Sequence, residues 1–310
     1  MPGRTASHET ESPDKNVRDG IISAFIAYFF WGVFPVYFVW VKDVPPNEVL
    51  AHRIIWAVPF GALIIHMRGQ WTEVGRALRH RRTVGFLVLS AILITGNWLA
   101  YIWAVQLEQI RQASLGYYIN PLLFALAGVV VFGERLRKAQ TAAVILAATG
   151  VGVLTFSGGE FPAIALFLGV TFAVYGVIRK QVVVGGMPGL FIETLVVLPF
   201  ALGYLLWLSL SGNAAFSPGN PSLAAVLVLA GPFTVIPLLF FALAARRLKL
   251  STVGMLQFIA PTLQFVIAVI YGEELTAAHV ICFSLIWIAV VLFVADVWRT
   301  SRAIAAIAPK

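Results

Sequence analysis

An all-α integral membrane protein is the fold class this sequence predicts. It has ten transmembrane helices in two inverted five-helix repeats, a basket-like bundle with a central cavity, and both termini in the cytoplasm. Three observations predict it. Hydrophobic residues make up 60% of the 310 positions and charged residues 12%, with a mean hydropathy of +0.88. A soluble core does not need that much apolar surface, whereas helices solvated by lipid do. The second observation is a repeat. Residues 114–134, SLGYYINPLLFALAGVVVFGE, and 251–274, STVGMLQFIAPTLQFVIAVIYGEE, each run from a small-residue start through a proline inside an apolar run to a Gly-Glu close. Pro121 and Pro261 lie 140 residues apart and Glu134 and Glu273 lie 139 apart, near half the chain. The third is the distribution of basic residues.

Apolar runs of bilayer length, about 20 residues, cover 20–41, 47–67, 84–106, 113–132, 139–157, 161–178, 189–209, 222–244, 252–271 and 278–297. Runs such as LFALAGVVVF do not alternate as barrel strands must. Residues 1–19 read as a polar cytoplasmic tail. The run after them is too long for a signal-peptide core and lacks a small-residue cleavage site, so it is a retained first span. With the N-terminus inside, 19 of the 22 Lys and Arg residues fall in cytoplasmic segments. Five spans per half is odd, so the second half (161–297) must run inverted relative to the first (20–157), and 298–310 forms a cytoplasmic tail. Weaker matches agree, in order: Phe30-Trp31-Gly32-Val33 with Val174-Tyr175-Gly176-Val177, and the segment from Arg53 to Phe60 with that from Glu193 to Phe200. Inverted repeats are transporter architecture, with substrate near the midplane.

Proline within a helix frees the carbonyl four residues earlier. Pro35, Pro121, Pro237 and Pro261 are therefore candidate hinges, freeing the carbonyls of Trp31, Tyr117, Phe233 and Gln257; a static packing kink is the alternative, less so for the repeated pair Pro121 and Pro261. Aromatic and amide residues cluster near them. The candidate substrate-binding set is Tyr28 and Trp31; Asn97, Trp98 and Tyr101; Tyr117, Tyr118 and Asn120; Tyr175; and Gln257 and Phe258, with Gln264 nearby. Polar groups at such depth are costly against lipid and should face the bundle interior. Such a lining suits a small amphipathic molecule rather than a bare ion. Interfacial belts are the alternative for Trp and Tyr, and the better one for Trp71 and Trp298.

The candidate charge partners are His52, Arg53, Glu134, Glu193 and Glu273. Arg53, roughly 9 Å into its helix, either snorkels outward or meets a substrate carboxylate or a neighbouring helix. Glu193 starts the seventh span, where a carboxylate suits the helix N-terminus, and is not expected to pair with Arg53. His52 could titrate, although a lone histidine is weak evidence. Glu134 reads either as a capped or salt-bridged turn or as a gate latch, with Glu273 its counterpart at the other face.

Catalytic, metal and cofactor sites are not predicted. GxxxxGK[ST], HExxH and CxxC are absent, the five histidines are scattered, and the single cysteine, Cys282, lies in an apolar run. The expected partners are a small-molecule substrate and the lipid bilayer, not nucleic acid.

The paired Pro…Gly-Glu units, the ten spans and the inverted halves resemble the drug/metabolite transporter superfamily in its EamA-type branch. Phe30-Trp31-Gly32, His52-Arg53-Ile54-Ile55-Trp56, Asn97-Trp98, the segment from Ser114 to Pro121, the segment from Tyr175 to Lys180, and Glu193-Thr194 are similar more narrowly to RarD-type members. The resemblance implies a ten-helix basket in the bacterial inner membrane. Through the YddG-type exporters, it also implies export of amino acids and related metabolites by alternating access. The RarD label is linked with chloramphenicol, which makes drug efflux the alternative. A non-catalytic membrane scaffold is a further one.

Overall fold

The computed structural model describes residues 13–106, 110–157, 163–217, 219–270 and 276–307. All regular structure in them is helical: α1 (Pro13–Trp40), α2 (Pro46–Met67), α3 (Trp71–Arg79), α4 (Arg81–Gln106), α5 (Ile110–Phe132), α6 (Lys138–Ser157), α7 (Ala163–Gln181), α8 (Gly186–Leu210), α9 (Pro221–Arg247), α10 (Leu250–Gln257), α11 (Ile259–Ile270) and α12 (Ala277–Ile307). Among the described residues, nine spans are long and apolar enough to cross a membrane, with α10 and most of α11 counted as one; Gly116–Phe132 is a shorter apolar helix.

The starts follow from local chemistry. α2 and α9 open on Pro46 and Pro221, whose missing N–H would have no partner there in any case. Asn220 also accepts a hydrogen bond from Leu223 N at 3.1 Å, capping α9. α3 is the one element the apolar runs did not predict. It is a short amphipathic helix in the Arg-rich stretch, with Val74 and Ala77 buried and Trp71 edge-on to Phe191 at 5.6 Å.

The first and last helices run beyond the predicted spans. α1 begins at Pro13, inside the stretch read as a polar tail, and α12 continues to Ile307, well into the stretch read as a C-terminal tail. The predicted span over 252–271 is not one rod, because the helix breaks at Phe258, between α10 and α11. Pro261 causes this: it has no N–H for the Gln257 carbonyl, the last residue of α10. Its counterpart Pro121 stays inside the unbroken α5. The same residue at matched positions thus gives a break in one half and only a lost hydrogen bond in the other.

The main packing pairs are α1 with α9 and α11, α2 with α8 and α9, α4 with α7 and α8, α5 with α7 and α10, and α6 with α12. Two crossings depend on glycine. A Cβ on Gly254 would lie 2.6 Å from the Pro121 carbonyl oxygen, and one on Gly231 would lie 2.5 Å from that of Trp56. At these points the α5–α10 and α2–α9 backbones touch directly, the usual way helices approach closely in membranes.

Candidate functional site

A cavity of about 520 Å³ opens inside the bundle. The second half of α1, the start of α2, the second half of α4, the start of α5 and the α10–α11 break build its wall. Exposed Phe38, Val39 and Lys42 stand at its mouth, beside the α1–α2 connection. Its floor is a block of rings. Trp31 and Phe172 line the cavity and meet at 5.6 Å. Phe241 lies behind them, 5.7 Å from Trp31 and 5.5 Å from Phe172, and Phe124 contacts Phe172 at 5.8 Å. Edge-to-face and tilted packing of this kind is favourable beyond area burial.

Most of the predicted set reaches the cavity: Trp31, Asn97, Trp98, Tyr101, Tyr117, Asn120 and Gln257, with Pro35 and Pro261 from the hinge set. Tyr101 and Tyr117 face each other at 5.8 Å. Asn97 is partly committed, since its amide nitrogen donates to Leu168 O at 2.7 Å and Thr171 Oγ1 at 2.8 Å, tying α4 to α7.

Four predicted ligand-binding residues lie elsewhere. Tyr28 is fully buried and donates to the Val253 carbonyl at 2.9 Å, bracing α1 against α10. Tyr175 stacks on Phe241 at 5.9 Å, behind the floor. Tyr118 and Phe258 belong to the α5–α6–α12 core, where Tyr118 meets Phe283 at 5.7 Å. The period of a helix puts neighbouring residues on different faces, so Tyr117 reaches the cavity and Tyr118 cannot. Pro121 and Pro237 are buried outside the lining.

Arg53 does not snorkel. It lines the cavity, its Nε donates to Thr234 Oγ1 at 3.0 Å, and its guanidinium carbon lies 4.4 Å from the Trp98 ring centroid and 5.0 Å from that of Phe34. His52 accepts from Trp56 Nε1 at 3.3 Å and sits 3.8 Å from the Glu48 carboxylate. Glu48 in turn accepts from the Ala215 and Phe216 amides at 2.8 and 3.2 Å, pinning the α8–α9 loop.

Polar ties join the helix ends away from the α1–α2 connection. Glu134 does not pair with the neighbouring arginines. It accepts from Leu250 N at 2.6 Å, Ser251 N at 3.1 Å and Ser251 Oγ at 2.6 Å, capping α10 from across the bundle. Glu273 lies outside the described residues. Lys180 donates to the Ala245 carbonyl at 3.3 Å and to that of Leu248, at the C-terminal end of α9. Arg246 donates to the Val184 carbonyl. Glu193 is not an end charge. It is buried in α8, 3.3 Å from Arg179 Nη1 and accepting from Ser90 Oγ at 2.6 Å. Arg179, in the last turn of α7, is the other half of this buried pair. A void of about 30 Å³ touches Glu193 and shares Ile94, Trp98 and Leu238 with the cavity wall.

Sequence reasoning missed Phe34, Phe172, Thr234 and Lys42 as part of the site. Phe34 lies one turn beyond Trp31 and was within reach of a face argument. Thr234 offered no signal, because its relation to Arg53 spans 181 residues of chain.

A cavity of metabolite size inside a bundle of membrane-length helices is what a multi-pass protein that carries small molecules needs. Similarity to known proteins is specific on this point. The EamA-like transporter family matches residues 18–156. "Protein RarD" of Salmonella typhi is 44% identical over 93% of this chain and 98% of its own length. "Chloramphenicol-sensitive protein RarD" of Pseudomonas aeruginosa is 28% identical over 88% of this chain and 92% of its own. A crystal structure superposes with a TM-score of 0.69 at 22% identity, covering 89% of this chain and 97% of that one, which shows the shared fold. The chain belongs to the EamA-like transporter family of the drug/metabolite transporter superfamily, among its RarD-like proteins, and is a multi-pass protein of the bacterial inner membrane.

Proposed function

We propose that the protein is a secondary transporter exporting small metabolites, chiefly amino acids with aromatic or apolar side chains, across the bacterial inner membrane by alternating access. The moving parts in this reading are two inverted five-helix halves, 20–157 and 161–297, making ten spans with both termini in the cytoplasm; 1–19 and 298–310 lie on the cytoplasmic side. The packing pairs support inversion. Exchanging the halves in chain order, with the surface helix α3 set aside and α10–α11 taken as one span, turns α1–α9 into α7–α4, α5–α7 into α10/α11–α1, and α2–α9 into α8–α4. It returns α6–α12, α2–α8 and α5–α10 to themselves. A pseudo-two-fold axis predicts this pattern.

The observation that carries the reading is a ring-walled cavity of about 520 Å³ among the spans, with exposed Lys42 of the α1–α2 connection in its lining; in this reading the opposite end, where Glu134 caps α10, is the closed one. With the termini inside, the closed end is cytoplasmic and the conformation is outward-facing. Pro261 and Pro35 give the wall points where helices can bend. The test is efflux of single radiolabelled amino acids from proteoliposomes. Loss no faster than from protein-free vesicles would refute the substrate class. Drug efflux is the second reading, favoured by the printed name of the Pseudomonas aeruginosa relative. It predicts a change in chloramphenicol resistance on expression without amino-acid flux.

A further inference from the structure

A guanidinium at membrane depth is costly unless something answers its charge. Around Arg53 the described residues supply the Thr234 hydroxyl, two ring faces and the nearby phenols of Tyr37 and Tyr117, all neutral groups, and none of the described ion pairs involves it. Thr234 holds Nε, while Trp98 and Phe34 hold the guanidinium between their rings. None of the described hydrogen bonds uses Nη1 or Nη2. The paired outer nitrogens of an arginine match a carboxylate in bidentate geometry, with charge on both sides.

A second observation points to the same ligand. Asn120 and Gln257 line the same cavity from α5 and α10 and are only 4% and 3% exposed. Their buried carbonyl oxygens, Asn120 Oδ1 and Gln257 Oε1, find no hydrogen-bond partner among the described residues. Leaving such an acceptor unpaired is costly, and a turn of the side-chain amide toward the cavity lets a ligand N–H remove that cost. The rings of Trp31, Tyr101, Tyr117 and Phe172 supply the apolar remainder of the wall.

We propose that this cavity is a carboxylate site in which Arg53 holds the carboxylate through Nη1 and Nη2, Asn120 and Gln257 accept N–H groups, and the rings hold an aromatic or apolar body. Lys42 at the mouth adds a second positive charge on the approach. The ligand class is a small carboxylic acid bearing a nearby N–H. That the ligand is cargo rests on the transporter reading above. A neutral drug such as chloramphenicol leaves the guanidinium unanswered, so the two substrate readings separate at Arg53.

The test is tryptophan-fluorescence titration of the full chain in detergent, since Trp98 stacks on Arg53. The probes are L-phenylalanine, L-phenylalaninamide, which lacks the carboxylate, and 3-phenylpropanoate, which lacks the N–H. The acid should bind at least about tenfold more tightly than its amide. Arg53→Gln should bring that ratio near one, and Arg53→Lys should restore part of it. Asn120→Ala or Gln257→Ala should narrow the gap between L-phenylalanine and 3-phenylpropanoate. The ratio is an internal control for folded fraction. If Arg53→Gln does not fold, Thr234→Val, which frees the guanidinium without removing it, should weaken acid binding and leave amide binding unchanged. Equal affinity for acid and amide, a ratio that survives these substitutions, or no binding of any probe overturns the proposal. Parallel flux assays separate the two claims. Selective binding without flux refutes transport and leaves the site, whereas flux without acid-over-amide selectivity refutes the site and leaves transport.

Discussion

Gln264 Nε2 donates a hydrogen bond to the Trp31 carbonyl oxygen at 3.0 Å. This is the carbonyl that Pro35, lacking an N–H, leaves without its helical partner. A proline in α1 is thus answered by an amide in α11, and the two helices are tied at the cavity wall. An irregular backbone group at membrane depth survives only where protein or water satisfies it.

Gln264→Leu should therefore destabilise the protein by about 1–3 kcal/mol, the cost of an unpartnered buried carbonyl. Pro35→Ala returns an N–H to the helix and should reduce that loss. A double-mutant cycle on thermal or denaturant unfolding checks this. Strict additivity of the two substitutions would show that Gln264 does not serve the proline.

Glu134 holds the N-terminus of α10 with three hydrogen bonds from Leu250 and Ser251. Glu134→Ala should cost about 0.5–2 kcal/mol as a lost cap and loosen the closed end. Thr252→Cys, at a buried position beside the cap, should react faster with a maleimide in the Glu134→Ala background. Unchanged labelling would mean the cap does not hold that end closed.

Arg179 and Glu193 form a buried pair at 3.3 Å, with side chains only 2% and 3% exposed. Removing one partner leaves a naked charge, so Arg179→Met should cost about 3–5 kcal/mol. The double change to Arg179→Met with Glu193→Leu should recover much of that loss. Unfolding measurements on the three variants decide it; a double variant no better than the single would argue against an ion pair.

Gly254→Ala places a methyl group 2.6 Å from the Pro121 carbonyl oxygen and 2.6 Å from Phe124 Cβ. The α5–α10 crossing must open, at a cost of about 1–3 kcal/mol, and flux should fall with it. Gly152→Ala, where nothing lies within 4 Å, is the matched control and should be close to neutral.

Much of this protein was legible in its residues. The spans could be read because lipid demands long apolar runs, and a run of LFALAGVVVF has few other uses. Proline positions named in advance the carbonyls that would need help, and Trp31 is one that found it. The aromatic and amide clusters marked which helices build the cavity, and seven of the eleven candidates do line it. The misses share a cause. Tyr28, Tyr118, Tyr175 and Phe258 differ from the lining residues only in which way their helix face turns, and in an all-apolar helix no amphipathic pattern reveals that direction.

The sequence alone determined a bundle of membrane-spanning helices and the proline-weakened points in them, because hydrocarbon solvation and proline chemistry act on each segment regardless of its neighbours. Only the tertiary structure decided the partners. Gln264 reaches back to Trp31, Thr234 steadies Arg53, Glu134 caps α10, and Arg179 neutralises Glu193. These contacts join residues far apart in the chain or on opposite faces of a turn, and their energies exist only once the helices have packed.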